Sequence, residues 1–373
     1  MVAVHYFWFL SGHRYEGARW FTRLLPYLDR VPSELHLASL ICYYSFSYET
    51  EDSQPMEHTR SDMLKLIESS SQASLRAAAW FFLALHTPDI WQATDKLAQA
   101  VAVARVANAS PTLGAEFSAM ADTDFALASI LGEYAAHLIE QGEFAQAGPC
   151  ALEGLALFRA RGDYSGMADC LGYLGRSALL QGDLVQARVH LQEAMALATA
   201  NNLPVMRCRW QSLLALAILY RGDTEEARHL LNENLHLASE LKNKFFLAHT
   251  CAYLAETALW EADYDHASQW LAQSLTHNSD VQSITLFQLE RLLVAARLAA
   301  GLQQYTKAAL LFGLEAHLRQ SLGYELIPPL GRLVDAALGA VRSALGDSTC
   351  ADVFKRGRHS DLAAAFAPFG AFD

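Results

Sequence analysis

The sequence predicts an all-α protein built as a solenoid of stacked helix hairpins with a period of about 40 residues. Three observations predict it. A short pattern returns at fixed spacing: QGEFAQAGPCALEGLALF over 141–158, QGDLVQARVHLQEAMALA over 181–198 and RGDTEEARHLLNENLHLA over 221–238. Small and large residues hold one register around it. The composition is helix-rich, with 52% hydrophobic residues dominated by Ala and Leu, and only ten prolines to interrupt helices.

The register can be read residue by residue. Small anchors stand at Ala147, Ala187, Ala227, Ala267 and Ala308. Twelve residues before each stands another small residue: Ala135, Gly175, Ala215, Ala255 and Ala296. Four after the anchors come Ala151, Leu191, Leu231, Leu271 and Phe312, and eight after the first four come Leu155, Met195, Leu235 and Leu275. Offsets of four and eight share one helix face. Each unit is thus a helix A and a helix B that cross closely at the two small residues, where a large side chain would cost roughly 1–3 kcal/mol by overpacking. A chain of 373 residues is long for one compact core, and stacking hairpins along an axis removes that need.

Turn chemistry sets the boundaries. Gly182 and Gly222 suit the left-handed residue that ends helix A, and Asp183 and Asp223 fit the N-cap of helix B. Gln186 and Glu226 stand three residues on and complete capping boxes. Glu143 with Gln146 is a weaker version, and Asp263 keeps the cap although Ala262 replaces the glycine. These carboxylates belong to backbone N–H groups, at roughly 0.5–2 kcal/mol per cap, and not to catalysis.

The predicted pairs are 126–141/144–160, 165–181/184–199, 205–221/224–240, 244–261/264–276 and 282–301/305–321. Weaker pairs are expected at 33–47/56–69 and 72–86/90–107, after a B-like helix at 12–25 whose A half would be 3–11. NASPTLG (108–114) is the best interruption. The domains expected are a solenoid over 1–325, with weaker repeats in 1–107 and regular ones in 126–321, and capping helices over 326–373 near 331–345, 348–356 and 360–366. The apolar ends 1–11 leave self-association through end hairpins open.

Small–x11–small–x3–large resembles the tetratricopeptide repeat, matched by Leu171, Leu174, Gly175, Ala178, Ala187, Leu191 and Ala194. The resemblance implies a right-handed superhelix whose A helices line a concave side. The longer period, FWFLSGHRYEGARWFTRLLP near the start and LFGLEAHLRQSLGYELIPP with VRSALGDSTCADVFKRGRHSDLAAAFA near the end resemble the helical sensor region of bacterial signal-transducing ATPase regulators of the maltose-activator-like and LuxR types. There is no G-x-x-x-x-G-K-[ST] loop and no basic recognition helix after residue 366, so ATP hydrolysis and DNA binding do not carry over. The expectation is the sensor part alone, an excised fragment or a shortened relative.

A net charge of −12 with no Lys/Arg block argues against direct nucleic-acid binding. Six cysteines without a C-x-x-C pair read as reduced, mostly buried thiols of a cytoplasmic protein. The run AAAWFFLAL (77–85) is too short to span a bilayer. Fourteen histidines show no H-E-x-x-H, and no G-x-S-x-G elbow occurs, so no metal, cofactor or catalytic residue is expected. Trp20, Trp80, Trp91 and Trp270 are expected between hairpins, with Trp210 open. The register places Asp169, Arg176, Arg209, Tyr220, His249, Glu256, Trp260, Glu290 and Arg297 on the inner groove, as grips for a peptide, protein or small effector. The bland alternative is a solvated groove with pairs inside each helix. The function expected is a non-catalytic sensor or protein-interaction solenoid, with a free-standing adaptor, or an enzyme whose site spans repeats, as alternatives.

Overall fold

The computed structural model describes residues 14–47, 57–109, 123–278 and 285–370. Among them the chain forms α-helices joined by short turns, with one 3-10 helix (Leu25–Arg30) and no strand. It is an all-α repeat solenoid. The helices are α1 (Arg14–Leu24), α2 (Ser33–Ser47), α3 (Glu57–Ser69), α4 (Ala73–Leu85), α5 (Ile90–Ala109), α6 (Thr123–Glu140), α7 (Phe144–Arg161), α8 (Tyr164–Leu180) and α9 (Leu184–Ala200). They continue as α10 (Pro204–Leu219), α11 (Thr224–Glu240), α12 (Lys244–Trp260), α13 (Tyr264–His277), α14 (Leu286–Gly301), α15 (Tyr305–Ser321), α16 (Pro328–Leu345), α17 (Asp347–Gly357) and α18 (Leu362–Gly370). The expected segment 3–11 and most of the interruption at 108–114 lie outside the described residues.

The chain divides into two compact units: residues 1–138 with 149–162, and residues 139–148 with 163–373. In the first, α2 is buried along one side after another from Leu37 to Ser47. Phe21, Phe46, Met63, Leu75 and Leu83 close the core around it. Arg105 of α5 grips Glu153 of α7 through Nε and Nη2, at 3.3 and 2.5 Å.

In the second unit the hairpins α8/α9, α10/α11, α12/α13 and α14/α15 follow one another. Helix α10 is buried almost all round, from Trp210 through Leu219. Helix α11 buries only Ala227, Leu231, Asn234 and Ala238, a single stripe at helical spacing. Successive A helices also pack directly on one another (α8 on α10, α10 on α12, α12 on α14), and successive B helices do not to the same extent. The A helices therefore form the inner row and the B helices the outer. At the crossing of α8 and α9, a Cβ on Gly175 would stand 2.6 Å from Leu191 Cγ and 3.3 Å from the Ala187 carbonyl, so the small–small register is a true close approach.

One turn closes nearly every helix from α6 to α15. Residues with left-handed φ stand at 142, 162, 182, 202, 222, 242 and 262, then at 303 and 323. The half-period is thus 20 residues until the connection around 279–284. At the α8 end, Gly182 N–H donates to Leu179 O at 3.0 Å and Asp183 N–H to Ala178 O at 2.9 Å, the Schellman pattern. Asp183, Asp223 and Asp263 then cap the next helix by accepting the N–H of Gln186, Glu226 and His266 at 3.0, 3.0 and 3.1 Å. The capping boxes are only half formed: the N–H that Gln186 or Glu226 would reach back to is already spent on the preceding helix.

Trp20 and Trp91 depart from the expectation of packing between hairpins, at 43% and 48% exposed. Trp210 is the fully buried one, and its ring occupies the space a side chain on Gly172 would need. All six cysteines are buried with free thiols. No helix among the described residues is long and apolar enough to cross a membrane.

Candidate functional site

Residues one period apart fall at equivalent heights on neighbouring A helices. Three such ladders run through the second unit: Asp169/Arg209/His249/Glu290, Arg176/Leu216/Glu256/Arg297, and Leu180/Tyr220/Trp260/Gly301. Adjacent rungs meet. Arg209 Nη1 lies 3.1 Å from Asp169 Oδ1. Arg297 Nη1 lies 2.6 and 2.7 Å from the two oxygens of Glu256. The rings of Tyr220 and Trp260 are 6.0 Å apart. The repeat itself thus converts a sequence offset into a contact.

Other contacts cross between ladders. Trp260 Nε1 donates to Glu256 Oε1 at 2.9 Å. Tyr253 donates its hydroxyl to Glu290 Oε2 at 3.0 Å. Arg176 pairs with Glu140, the last residue of α6, and Glu140 also accepts the Leu286 N–H at the start of α14 at 3.1 Å. His249 stacks on Phe287 with centroids 3.5 Å apart. Near it, Arg291 is buried over the Phe287 ring and donates to the Asn278 carbonyl at 3.0 Å.

Burial controls the charges. It pushes Glu290 up to about 7, against the pull of Arg176 and the Tyr253 hydrogen bond, with Glu140 and Glu256 adding to the rise. His249 is held well below the usual histidine range by burial, and the charges of Arg176 and Arg291 reinforce this. Burial also opposes the charge of Arg176, but Glu140 and Glu290 outweigh it and keep the guanidinium charged. Tyr220 and Tyr253 are both raised, first by burial and then by the neighbouring carboxylates. Burial lowers Arg291 to about 10.

Glu290 and Tyr220 border a cavity of about 20 Å³, lined also by Tyr324, Leu179, Leu216, Leu293 and further aliphatic side chains. That is room for one water molecule. Part of its wall is the non-helical stretch 322–327. Beside it, a Cβ on Gly182 would stand 3.1 Å from Pro328 Cδ, and one on Gly142 would stand 3.3 Å from the Gly323 carbonyl.

Residues 126–200 match the tetratricopeptide repeat family model. They are a tetratricopeptide-like helical region. No curated protein matches the sequence. Among solved structures, the chain is similar to aspartyl phosphate phosphatase F from Bacillus subtilis, with TM-score 0.56 and 11% identity over 97% of this chain and 94% of that one. It is similar to the apo form of RapI, with TM-score 0.55 and 10% identity over 92% and 97%. It is also similar to the Rap conjugation gene regulator of the plasmid pLS20 in complex with a Phr peptide, with TM-score 0.50 and 11% identity over 89% and 97%. At such identities the likeness is one of fold.

Eight of the nine candidate residues engage at least one other member of the inner cluster, and His249 joins it through its Phe287 stack and its place beside Arg176. Neither expected picture of the groove is complete. Only the Trp260–Glu256 bond lies within one helix; the ion pairs run between helices. Three members were missed. Glu140 and Tyr253 were visible in principle, as register equivalents of Tyr220 and Tyr173. Tyr324 lies beyond the repeat and carried no signal. Among the described residues no group of His, Cys, Asp and Glu could hold a metal ion.

Proposed function

We propose that the chain is a non-catalytic binding module, the sensor or protein-interaction solenoid of a bacterial transcriptional or signalling regulator. It takes a peptide, protein or small effector on the inner face of its A helices, in the cytoplasm. Residues 1–325 form the solenoid, with weaker repeats in 1–107 and regular repeats in 126–321, and 326–373 cap it.

The observation that carries this reading is the concentration of charged and aromatic side chains along the A helices: the pairs Glu140–Arg176, Glu256–Arg297 and Tyr253–Glu290 lie close enough for Glu140, Arg176 and Glu256 all to act on the Glu290 carboxyl. Buried polar networks of this kind are costly to keep unless they specify something. The Rap regulator resolved with a Phr peptide has this fold over 97% of its length, which supports a peptide as ligand class. One neighbour is named a phosphatase, so the fold alone does not decide against catalysis. The non-catalytic reading rests on Asp169, Glu140 and Glu256 each being tied to an arginine. The six buried thiols favour a reducing compartment.

The test is a thermal-shift screen of metabolites and short peptides, followed by Arg176→Ala and Arg209→Ala. Binding weakened by either substitution supports the inner face. A ligand that binds both variants unchanged overturns it, and a screen together with partner capture that yields nothing overturns the module itself.

A further inference from the structure

Helix α18 owes its order to what it lies on. It has nine residues, too few for a helix to hold alone in water, and Pro368 removes one of its internal hydrogen bonds. Leu362, Phe366 and Phe369 are its buried stripe, at the i, i+4, i+7 spacing of a helix laid in a groove. Helices α13, α14 and α15 form that groove. Helix α17, by contrast, is fixed: where it crosses α15, Gly313 and Gly357 leave no room for a Cβ against the Phe354 and Leu310 carbonyls. The connection at 358–361 is therefore the place where α18 can swing away.

Two cations lie under α18. Arg291 is fully buried with its guanidinium 5.4 Å from the centre of the Phe366 ring, and Lys307 Nζ is 3.6 Å from the centre of the Phe369 ring. Arg291 donates to the carbonyls of Ser274 and Asn278 at the end of α13 and to the Gln288 side chain, and its Nε has no partner. A helix end supplies only about half a negative charge, so the guanidinium stays undercompensated. Neither cation has an ion pair among the described residues, and burial alone lowers the pKa of both. Nearby acids are engaged elsewhere: Glu290 accepts from Tyr253, Glu315 holds Arg319, and Asp361 accepts the Ala364 N–H of α18 itself. A phenyl face holds a cation less strongly than a carboxylate does.

We propose that α18 occupies a docking groove for an acidic helix of a partner protein, which displaces it and sets two carboxylates, one turn apart, over Arg291 and Lys307. Charge complementarity decides the occupant. A basic helix would meet two cations. A neutral apolar helix would only repeat what α18 supplies from within the chain, at a higher effective concentration. A carboxylate in place of either ring brings a full opposite charge to a site closed to water. The groove uses neither Arg176 nor Arg209, so it stands or falls apart from the inner-face reading.

The test uses the full chain and fluorescein-labelled peptides spanning residues 361–370, all with Pro368→Ala to favour the helix. One carries Phe366→Glu and Phe369→Glu, a second carries Gln at both places, and a third keeps both rings. Fluorescence anisotropy should show the Glu peptide binding about tenfold tighter than the other two, with the advantage shrinking as salt is raised. Amide exchange over α18 should rise on binding, because the helix is released. The full-length variant Phe366→Ala with Phe369→Ala, checked for folding by circular dichroism, should bind the Glu peptide about tenfold more tightly than wild type, since the groove is already free. Lys307→Gln should weaken binding about fivefold. Equal binding of the Glu and Gln peptides, no binding to the double variant, or binding that leaves exchange over α18 unchanged overturns the proposal. A wild-type dimer in light scattering that the double variant abolishes would make α18 of a second copy the occupant, and would overturn the acidic partner.

Discussion

Arg297 and Glu256 occupy the same position in consecutive repeats, and one guanidinium nitrogen lies 2.6 and 2.7 Å from the two carboxylate oxygens. Their side chains are only 6% and 5% exposed. The contact follows from the period, because equivalent residues of adjacent A helices stand side by side. It also orients Trp260, whose indole N–H shares the same carboxylate.

Removing one partner should therefore be expensive. Arg297→Ala leaves Glu256 buried without its cation and is expected to cost about 3–5 kcal/mol in urea unfolding. The double variant Arg297→Met with Glu256→Leu should recover most of that loss. By contrast Arg209→Ala, at a pair with 36% and 26% of its side chains exposed, should change stability by at most about 1 kcal/mol.

Glu290 makes stability depend on pH in a definite direction. Its folded pKa, about 7, lies above the unfolded value of 4.5. The folded state therefore binds the proton more tightly, and the stabilisation is full below pH 4.5 and lost as pH rises to about 7. Relative to Glu290→Gln, the wild-type protein should lose on the order of 2 kcal/mol between pH 5 and pH 8, measured by denaturant midpoints. A difference that is flat in pH would show that the carboxyl is not perturbed.

The left-handed turns predict opposite signs at equivalent positions. Ala262 has φ 56° where Gly222 has φ 100°. An L-residue in that region is strained by about 1–2 kcal/mol, partly offset by the extra chain entropy of glycine. Ala262→Gly should stabilise by about 0.5–1 kcal/mol, and Gly222→Ala, which meets no neighbouring atom, should destabilise by a similar amount through backbone strain alone. Thermal midpoints would read both.

Close approaches give the last prediction. A Cβ on Gly172 would collide with the ring of Trp210, which is 2% exposed and packs edge-on against Tyr173 at 5.3 Å. Gly172→Ala should cost about 1–3 kcal/mol and shift Trp210 fluorescence. Gly148→Ala, with nothing near its Cβ, is the control and should be close to neutral.

Helix boundaries from α6 to α15 follow the sequence pattern closely because they rest on short-range facts: a left-handed residue, an N-cap and a stripe of apolar residues, all within one period. The half-formed capping boxes were not legible, since they depend on which of two helices claims one N–H. Trp20 and Trp91 misled because bulk and apolarity suit a core position but do not say which face of a helix is covered. The inner ladders were legible as candidates, whereas their pairing was not.

The sequence by itself determined the all-α class, the hairpin as unit and the crossings at Gly175 and Ala187. Tertiary structure decided that Glu140 meets Leu286 across 146 residues, that Arg176 lies between two acids, and that Tyr324 closes a cavity with Glu290. The reason is one of range. Backbone bonds and side-chain size act within a hairpin and leave a mark in every period, while contacts between distant helices depend on the small rotation accumulated from repeat to repeat, which no single window of sequence records.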